Sequence, residues 1–333
     1  MNGFQGKRIL VTGATGLIGH HLTTRLMQEP GLSLVATGRS REKLARSFPD
    51  LLGKEGFEIA EHDAAQPLPD TLGPFDYIFH AAGPMERKIV ENRPADVILP
   101  NILGTRHCLE QLRRQAEQDG KPGRLVVFSS VTVYGNNGTD GDRRVCEEDS
   151  RGADALETPG ACYSESKRMS EVLARAYARQ YGTDSVIARF STVYGYTRNI
   201  PDTAFFEFIR KSMQGEDIVL NGSAFPRRDN IFIEDAVEAL LAVALQGSCA
   251  EAYNISSNGE SGNFAAVDEL AECIARAAAE RTGKRPVKVV RKDDGAARKP
   301  GLLLDNNKMH GLCKLRITPL EEGIRKTLER LYP

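Results

Sequence analysis

The stretch Val11-Thr12-Gly13-Ala14-Thr15-Gly16-Leu17-Ile18-Gly19 decides the fold. It joins a short apolar run at 7–12, which reads as a strand, to an amphipathic run ending near Pro30, which reads as a helix. A glycine turn in that position serves three needs. Gly13 permits a tight turn, Gly16 lets backbone approach a pyrophosphate, and Gly19 lets the helix pack closely on the sheet. The unpaired N–H groups of the helix start, at Leu17 and Ile18, face the anion together with Thr15. The alternative is a purely structural turn. The strand–turn–helix context favours a bound dinucleotide, NAD or NADP.

Outward from this turn, strands are expected at 32–37, 57–60, 76–80, 125–129 and 185–190, with helices such as 102–118 and 166–181 between them. Strands apolar on both faces that alternate with helices predict an α/β fold with a doubly wound parallel sheet, the Rossmann arrangement. After Phe190 the rhythm changes to a loop rich in Gly, Tyr, Asn and Pro, a helix at 203–214 and a polar stretch at 221–230. A helix at 233–245 and a strand at 253–255 return the chain to the main sheet, before a helix at 267–282 and a tail. The expected division is a dinucleotide-binding domain of 1–188 and 231–256, with a smaller α/β substrate lobe of 189–230 and 257–333. The charged stretch 284–299 holds no aromatic residue to stack on bases, so it reads as a solvated loop.

Composition narrows the partners. Across 333 residues, 45 acidic and 44 basic side chains nearly cancel, which excludes a field able to condense on nucleic acid or an anionic membrane. The six cysteines are scattered without a CxxC pair or a nearby His, so free thiols and no metal site are expected. No apolar run approaches spanning length, and a first strand at residue 7 leaves no room for a leader, so the cytoplasm is the expected location.

The end of the second strand bears on the cofactor, because an acidic residue there bonds the ribose hydroxyls whereas an arginine accommodates an additional phosphate. Gly38-Arg39-Ser40 contains no carboxylate, so Arg39 favours NADP over NAD, although it also reads as a loop residue stacked on adenine. Asp63 is placed to accept from the adenine amino group, and Ala81, Ala82 and Gly83 are small enough to admit the cofactor backbone.

Tyr163 and Lys167 stand four residues apart at a helix start, so both side chains emerge on one face. An ordinary phenol, with a pKa of about 10, is a poor base at neutral pH. A nearby ammonium and an oxidised nicotinamide both favour its ionised form. A helix that carries Tyr and Lys by coincidence is the alternative. Against it stands Ser129-Ser130-Val131-Thr132-Val133-Tyr134-Gly135, at the carboxyl end of the fifth strand, where open α/β sheets bind ligands and where Ser130 can orient a substrate hydroxyl.

With these residues in place, the chain resembles an extended short-chain dehydrogenase/reductase of the NAD-dependent epimerase/dehydratase family. The likeness runs through TGATGLIG, HAAG, PNILGT, SSVTVYG, YSESK, RFSTVYG, RRDNIFIEDA and AYNIS. The resemblance implies that Ser130, Tyr163 and Lys167 are catalytic, and that Tyr163 and Lys167 also touch the cofactor. It implies that Asn101 is the family's conformationally important asparagine at the cofactor, and that Arg228 contacts a nucleotide-sugar pyrophosphate. Thr132 and Thr192 fall in its substrate segments, and a homodimer through helices flanking the sheet is implied by analogy. Departures matter too. The family's 4,6-dehydratases carry an acidic pair where Val131 and Thr132 stand, its decarboxylases have Glu at Thr132, and Tyr196 replaces a usual Pro. The expectation is therefore a nucleotide-sugar epimerase acting at C4 through a transient 4-keto sugar. The alternatives are an NADPH-dependent 4-keto-sugar reductase, a dehydratase or decarboxylase, and a non-catalytic dinucleotide-binding module.

Overall fold

The computed structural model describes residues 3–135, 143–222, 225–292 and 300–333. β1 (Arg8–Thr12) is followed by α1 (Leu17–Leu26), β2 (Ser33–Gly38), α2 (Arg41–Ser47) and β3 (Phe57–Glu61). Then come β4 (Tyr77–His80), α3 (Arg87–Asn92), α4 (Ala95–Asp119), β5 (Arg124–Ser130) and α5 (Ala161–Tyr181). A seven-stranded sheet has the order Ala252–Ile255, Asp184–Phe190, β5, β4, β1, β2, β3. β1 to β5 pair in parallel throughout. The expected doubly wound α/β architecture is what the chain adopts.

Burial explains why these runs are strands. Ile9, Leu10 and Val11 of β1 are all fully buried, so both faces of the strand are covered and no alternation with polar residues is needed. On one face Leu10, Ile78, Leu125, Val127 and Ile187 pack with Cys108, Leu109 and Leu112 of α4 and Ala174 of α5. Each such aliphatic side chain contributes roughly 1.5–3 kcal/mol relative to exposure.

The strand order places the topological switch between β2 and β4, on either side of β1. There, β1 leads into the glycine turn and β4 into Ala81-Ala82-Gly83. The two loops touch: a Cβ on Gly13 would lie 2.7 Å from the Ala82 backbone.

One compact unit comprises the described residues within 1–136, 151–189 and 239–253, and a second those within 137–150, 190–238 and 254–333. In the second unit, strand Arg228–Phe232 lies between Phe264–Ala265, its antiparallel partner, and Gly301–Leu304, its parallel one, and also pairs in parallel with Thr192–Tyr194. Several elements differ from expectation. The helix expected at 102–118 begins at Ala95 and runs through Pro100, and that expected at 166–181 begins at Ala161. The 284–299 stretch is not all loop: Val289–Lys292 pairs in parallel with Ile218–Asn221, while 293–299 lie outside the described residues, as do 223–224 of the polar stretch. The tail contains a helix, Leu320–Leu331, whose Leu320, Ile324 and Leu328 are buried at four-residue spacing. No helix among the described residues is long and apolar enough to cross a membrane, and no group of three or more metal-ligating side chains occurs among them.

Candidate active site

The three glycines of the turn divide by what the structure demands. Gly13 has φ +63°, and Gly19 could not carry a Cβ, which would fall 2.5 Å from Gly13 O. Both are required by the protein itself. Gly16 is exposed, has ordinary φ, and a Cβ there would meet only Gly13 O at 3.4 Å. It is also the N-cap of α1, where no side chain caps the helix and no acidic residue occupies the first turn. Leu17 and Ile18 open that helix. An uncapped helix start beside an open glycine fits an approaching phosphate group.

Behind the turn lies a histidine that the sequence reading passed over. His80, at the end of β4, is 3 % exposed and bridges Thr12 Oγ1 (2.8 Å from Nδ1) to the Pro100 carbonyl (3.1 Å from Nε2). Burial, followed by the charge of Lys167, pushes its pKa down to about 3, so the ring is neutral and can accept at Nδ1 while donating from Nε2. Thr12 Oγ1 in turn accepts from Ala82 N at 3.2 Å. Gly104 makes this possible, since a Cβ there would fall 2.5 Å from the His80 ring. The loop 81–83, the glycine turn and α4 are thus tied at one point.

The same tie presents Asn101. It is 1 % exposed, and its Nδ2 donates to Val97 O (2.8 Å) and Ser166 Oγ (3.1 Å), while Ser166 Oγ donates to Tyr163 O (2.9 Å). Its Oδ1 has no partner and lies where a Cβ on Gly83 would fall, 2.4 Å away; Lys167 Nζ would be 3.3 Å from that same point. An orphaned buried acceptor beside an amine and a glycine is a place made for a polar ligand group.

Ser130, Tyr163 and Lys167, expected to act together, are brought together. Ser130 ends β5 and caps the one-turn 3-10 helix Val131–Tyr134, its Oγ accepting from Thr132 N at 3.2 Å. Tyr163 and Lys167 lie in the first two turns of α5, and Lys167 Nζ is 5.6 Å from the Tyr163 ring centre. Lys167 is 6 % exposed and donates to Phe128 O at 2.7 Å. Burial lowers its pKa to about 8.

The expected acidification of Tyr163, by Lys167 together with an oxidised nicotinamide, is not a property of the protein by itself. Burial raises the phenol above its ordinary value, and the hydrogen bond with Ser130 offsets this only in part.

A buried charge cluster stands immediately behind these residues. Glu171, one turn beyond Lys167, accepts from Ser129 Oγ (2.5 Å) and from the fork of Arg189 (2.8 and 2.7 Å), with Arg175 at 3.1 Å. Arg189 also donates to Tyr134 Oη at 2.9 Å. Burial works to raise the pKa of Glu171, but Arg189 first, then Ser129 and Arg175, hold it below the usual range. Ser129 and Tyr134 bracket the segment 130–133, so this cluster fixes that segment against α5. Arg189 stands in the RFSTVYG motif, yet nothing in its spacing signals a partner forty residues from β5.

Among the remaining expected residues, Arg39 and Asp63 are exposed, and Asp63 Oδ1 accepts from Ala65 N at 3.0 Å. Thr132 has a buried Oγ1 with no hydrogen-bond partner. In the second unit, the register sets Thr192 beside Asn230, two residues from Arg228. Arg228 is exposed, whereas Arg227 grips Glu269 through two nitrogens at 2.5 and 3.1 Å. Tyr196 donates to Glu234 at 3.0 Å.

Residues 9–256 match the NAD dependent epimerase/dehydratase family. The chain belongs to that family. Its curated relatives include UDP-glucuronic acid decarboxylase 1 of Danio rerio, 30 % identical over 327 residues, which cover 97 % of this chain and 72 % of the relative. Similar solved structures include UDP-glucose 4-epimerase from Thermotoga maritima with UDP-glucose, at TM-score 0.76 and 22 % identity, covering 97 % of this chain and 98 % of that one. Another is MoeE5 in complex with UDP-glucose and NAD, at TM-score 0.73 and 29 % identity, covering 97 % of each chain. The resemblance read from the motifs therefore holds for the NAD dependent epimerase/dehydratase family as a whole, a family of nucleotide-sugar enzymes.

Proposed function

We propose that this enzyme epimerises a UDP-sugar at C4. The observation that supports the reading is that the described turn after Ser130 carries no acidic side chain. The turn after β5 supplies Val131, Thr132 and Val133, and the nearby buried carboxylate, Glu171, is engaged by Ser129, Arg189 and Arg175. Dehydration needs an acid for the leaving hydroxyl; moving a proton on and off one oxygen does not. The dinucleotide, when bound, supplies reversible hydride exchange. Ser130 orients the C4 hydroxyl, Tyr163 takes its proton and later returns it, and Lys167 supports the phenolate while bonding the ribose. Asn101 Oδ1 and Ala81 to Gly83 line the nicotinamide side, and Gly13, Thr15, Gly16, Leu17, Ile18 and Gly19 hold the pyrophosphate. Arg39 and Asp63 flank the adenosine. Arg228, Thr132 and Thr192 contact the UDP-sugar, whose nucleotide is suggested by the UDP-glucose bound to MoeE5 and by the name of the decarboxylase relatives.

Decarboxylation is the second reading, favoured by the 30 % identity to UDP-glucuronic acid decarboxylase 1. The experiment is incubation with NAD and, separately, UDP-glucose, UDP-galactose and UDP-glucuronate, followed by NMR of the sugar and assay of released carbon dioxide. C4 epimers without gas support epimerisation. Stoichiometric carbon dioxide from UDP-glucuronate would replace it with decarboxylation. We also propose a cytoplasmic homodimer formed through α4 and α5, on which Leu99, Met169 and Val172 are exposed.

A further inference from the structure

The register of β2 and β3 brings a carboxylate to the place where the sequence shows none. Gly38, at the end of β2, pairs with Glu61, at the end of β3, and His62 N donates to Gly38 O at 2.9 Å. Glu61 then reaches across the strand end, its Oε2 accepting from Arg41 N at 3.0 Å. Ser40 Oγ accepts from Lys43 N at 3.2 Å, and the Arg41 guanidinium donates to Ile59 O at 3.1 Å. On its other side Gly38 lies against the glycine turn, since a Cβ there would stand 3.7 Å from Thr15 Cγ2. A ribose seated beside Gly38 therefore meets the exposed cation Arg39 and the exposed anion Glu61, with the amides of Arg41 and Lys43 engaged and the exposed Arg41 guanidinium bonded to Ile59 O.

We propose that Glu61 is a specificity-determining residue that sets a preference for NAD over NADP. A 2′-hydroxyl is neutral and tolerates a neighbouring carboxylate. A 2′-phosphate is close to a dianion at neutral pH, repelled by Glu61 and denied the backbone donors it needs. Exposed Arg39 offers a compensating charge, and so does Arg41, whose guanidinium is bonded to Ile59 O, at a surface where exposed ion pairs are weak. The preference read from Arg39 in the sequence is thereby reversed by a residue 22 positions further along the chain.

The inference rests on the dinucleotide reading above, and the test separates the two. NADH and NADPH are titrated into wild-type protein and into Glu61→Gln at low ionic strength, where surface charge is least screened, following nicotinamide fluorescence. Gln keeps an acceptor for Arg41 N while removing the charge; Glu61→Ser is the second variant, and thermal unfolding checks that each is folded. Wild type is expected to bind NADH more tightly, and Glu61→Gln to tighten NADPH about two- to fivefold while NADH affinity is unchanged. An unchanged NADPH-to-NADH ratio in the folded variants, or a wild type that prefers NADPH, overturns the role of Glu61. Failure of wild type to bind either nucleotide overturns the dinucleotide reading itself.

Discussion

Lys167 carries the clearest conflict between stability and chemistry. Its ammonium is buried with Phe128 O as a hydrogen-bond acceptor, and burial lowers its pKa from 10.5 to about 8. The folded state therefore holds the proton less well than the unfolded chain. The sign follows: stability from the neutral amine is complete above pH 10.5 and is lost as pH falls through about 8. The gap corresponds to on the order of 3 kcal/mol at neutral pH. Lys167→Met is expected to raise ligand-free stability at pH 7 by about 1–2 kcal/mol in urea titrations, less than that gap because Phe128 O loses its donor, with the gain vanishing near pH 10.5. The same variant should lose C4 exchange. Tyr163→Phe is expected to slow turnover about 10²- to 10⁴-fold while NADH titration shows binding retained; normal turnover would remove Tyr163 from the mechanism. The pairing of Tyr163 with Lys167 was legible because four residues of helix put two side chains on one face. The direction of their pKa shifts was not, because it depends on burial that spacing does not encode.

At the scale of the element, the glycine turn separates structural from ligand-driven constraint. Gly13→Ala places a side chain at φ +63° with a contact of 2.7 Å to the Ala82 backbone, so loss of more than about 2 kcal/mol or failure to fold is expected. Gly16→Ala meets no such obstacle and should melt within a few degrees of wild type, yet bind NADH at least about tenfold more weakly by fluorescence. Equal affinity in Gly16→Ala would mean that no phosphate approaches that residue. The Glu171–Arg189 cluster gives the opposite behaviour. Glu171→Gln leaves the Arg189 guanidinium buried without its counter-charge, which costs about 3–5 kcal/mol, and calorimetry should show the loss. The strand–turn–helix start, β4, β5 and the helix carrying Tyr163 were readable because each joins a buried apolar run to a position in the sheet. The first turns of α4 were hidden by Pro100, which ordinarily ends a helix. Here it is the sixth residue of α4, where its missing N–H forgoes the bond to the Asp96 carbonyl, while its own carbonyl receives His80. Val289–Lys292 was hidden by its charge, since its pairing with Ile218–Asn221 is decided seventy residues away.

For the whole molecule, the parallel sheet followed from alternation, and the family from motifs spread along the chain. Arg228 and Thr192 could be named from those motifs, but their neighbourhood depends on strands Thr192–Tyr194 and Arg228–Phe232 being parallel partners, which no local pattern announces. The proposed dimer belongs to this scale. Leu99 of α4 and Met169 and Val172 of α5 are 44, 45 and 56 % exposed, and Met169 and Val172 share one helical face. A monomer that leaves apolar side chains on two adjacent, mutually packed helices has a surface to cover, and a second copy presents the same surface in return. Wild-type protein is expected to sediment at twice the chain mass at micromolar concentration. Met169→Glu combined with Val172→Glu should sediment as a monomer, because two carboxylates would then face their symmetry-related equivalents without water. Both positions are exposed on the single chain, so the monomer should keep its far-ultraviolet dichroism and its affinity for NADH. A double variant that still sediments as a dimer would move the interface away from α5, whereas a wild type that is monomeric at that concentration would remove the dimer from the proposal altogether.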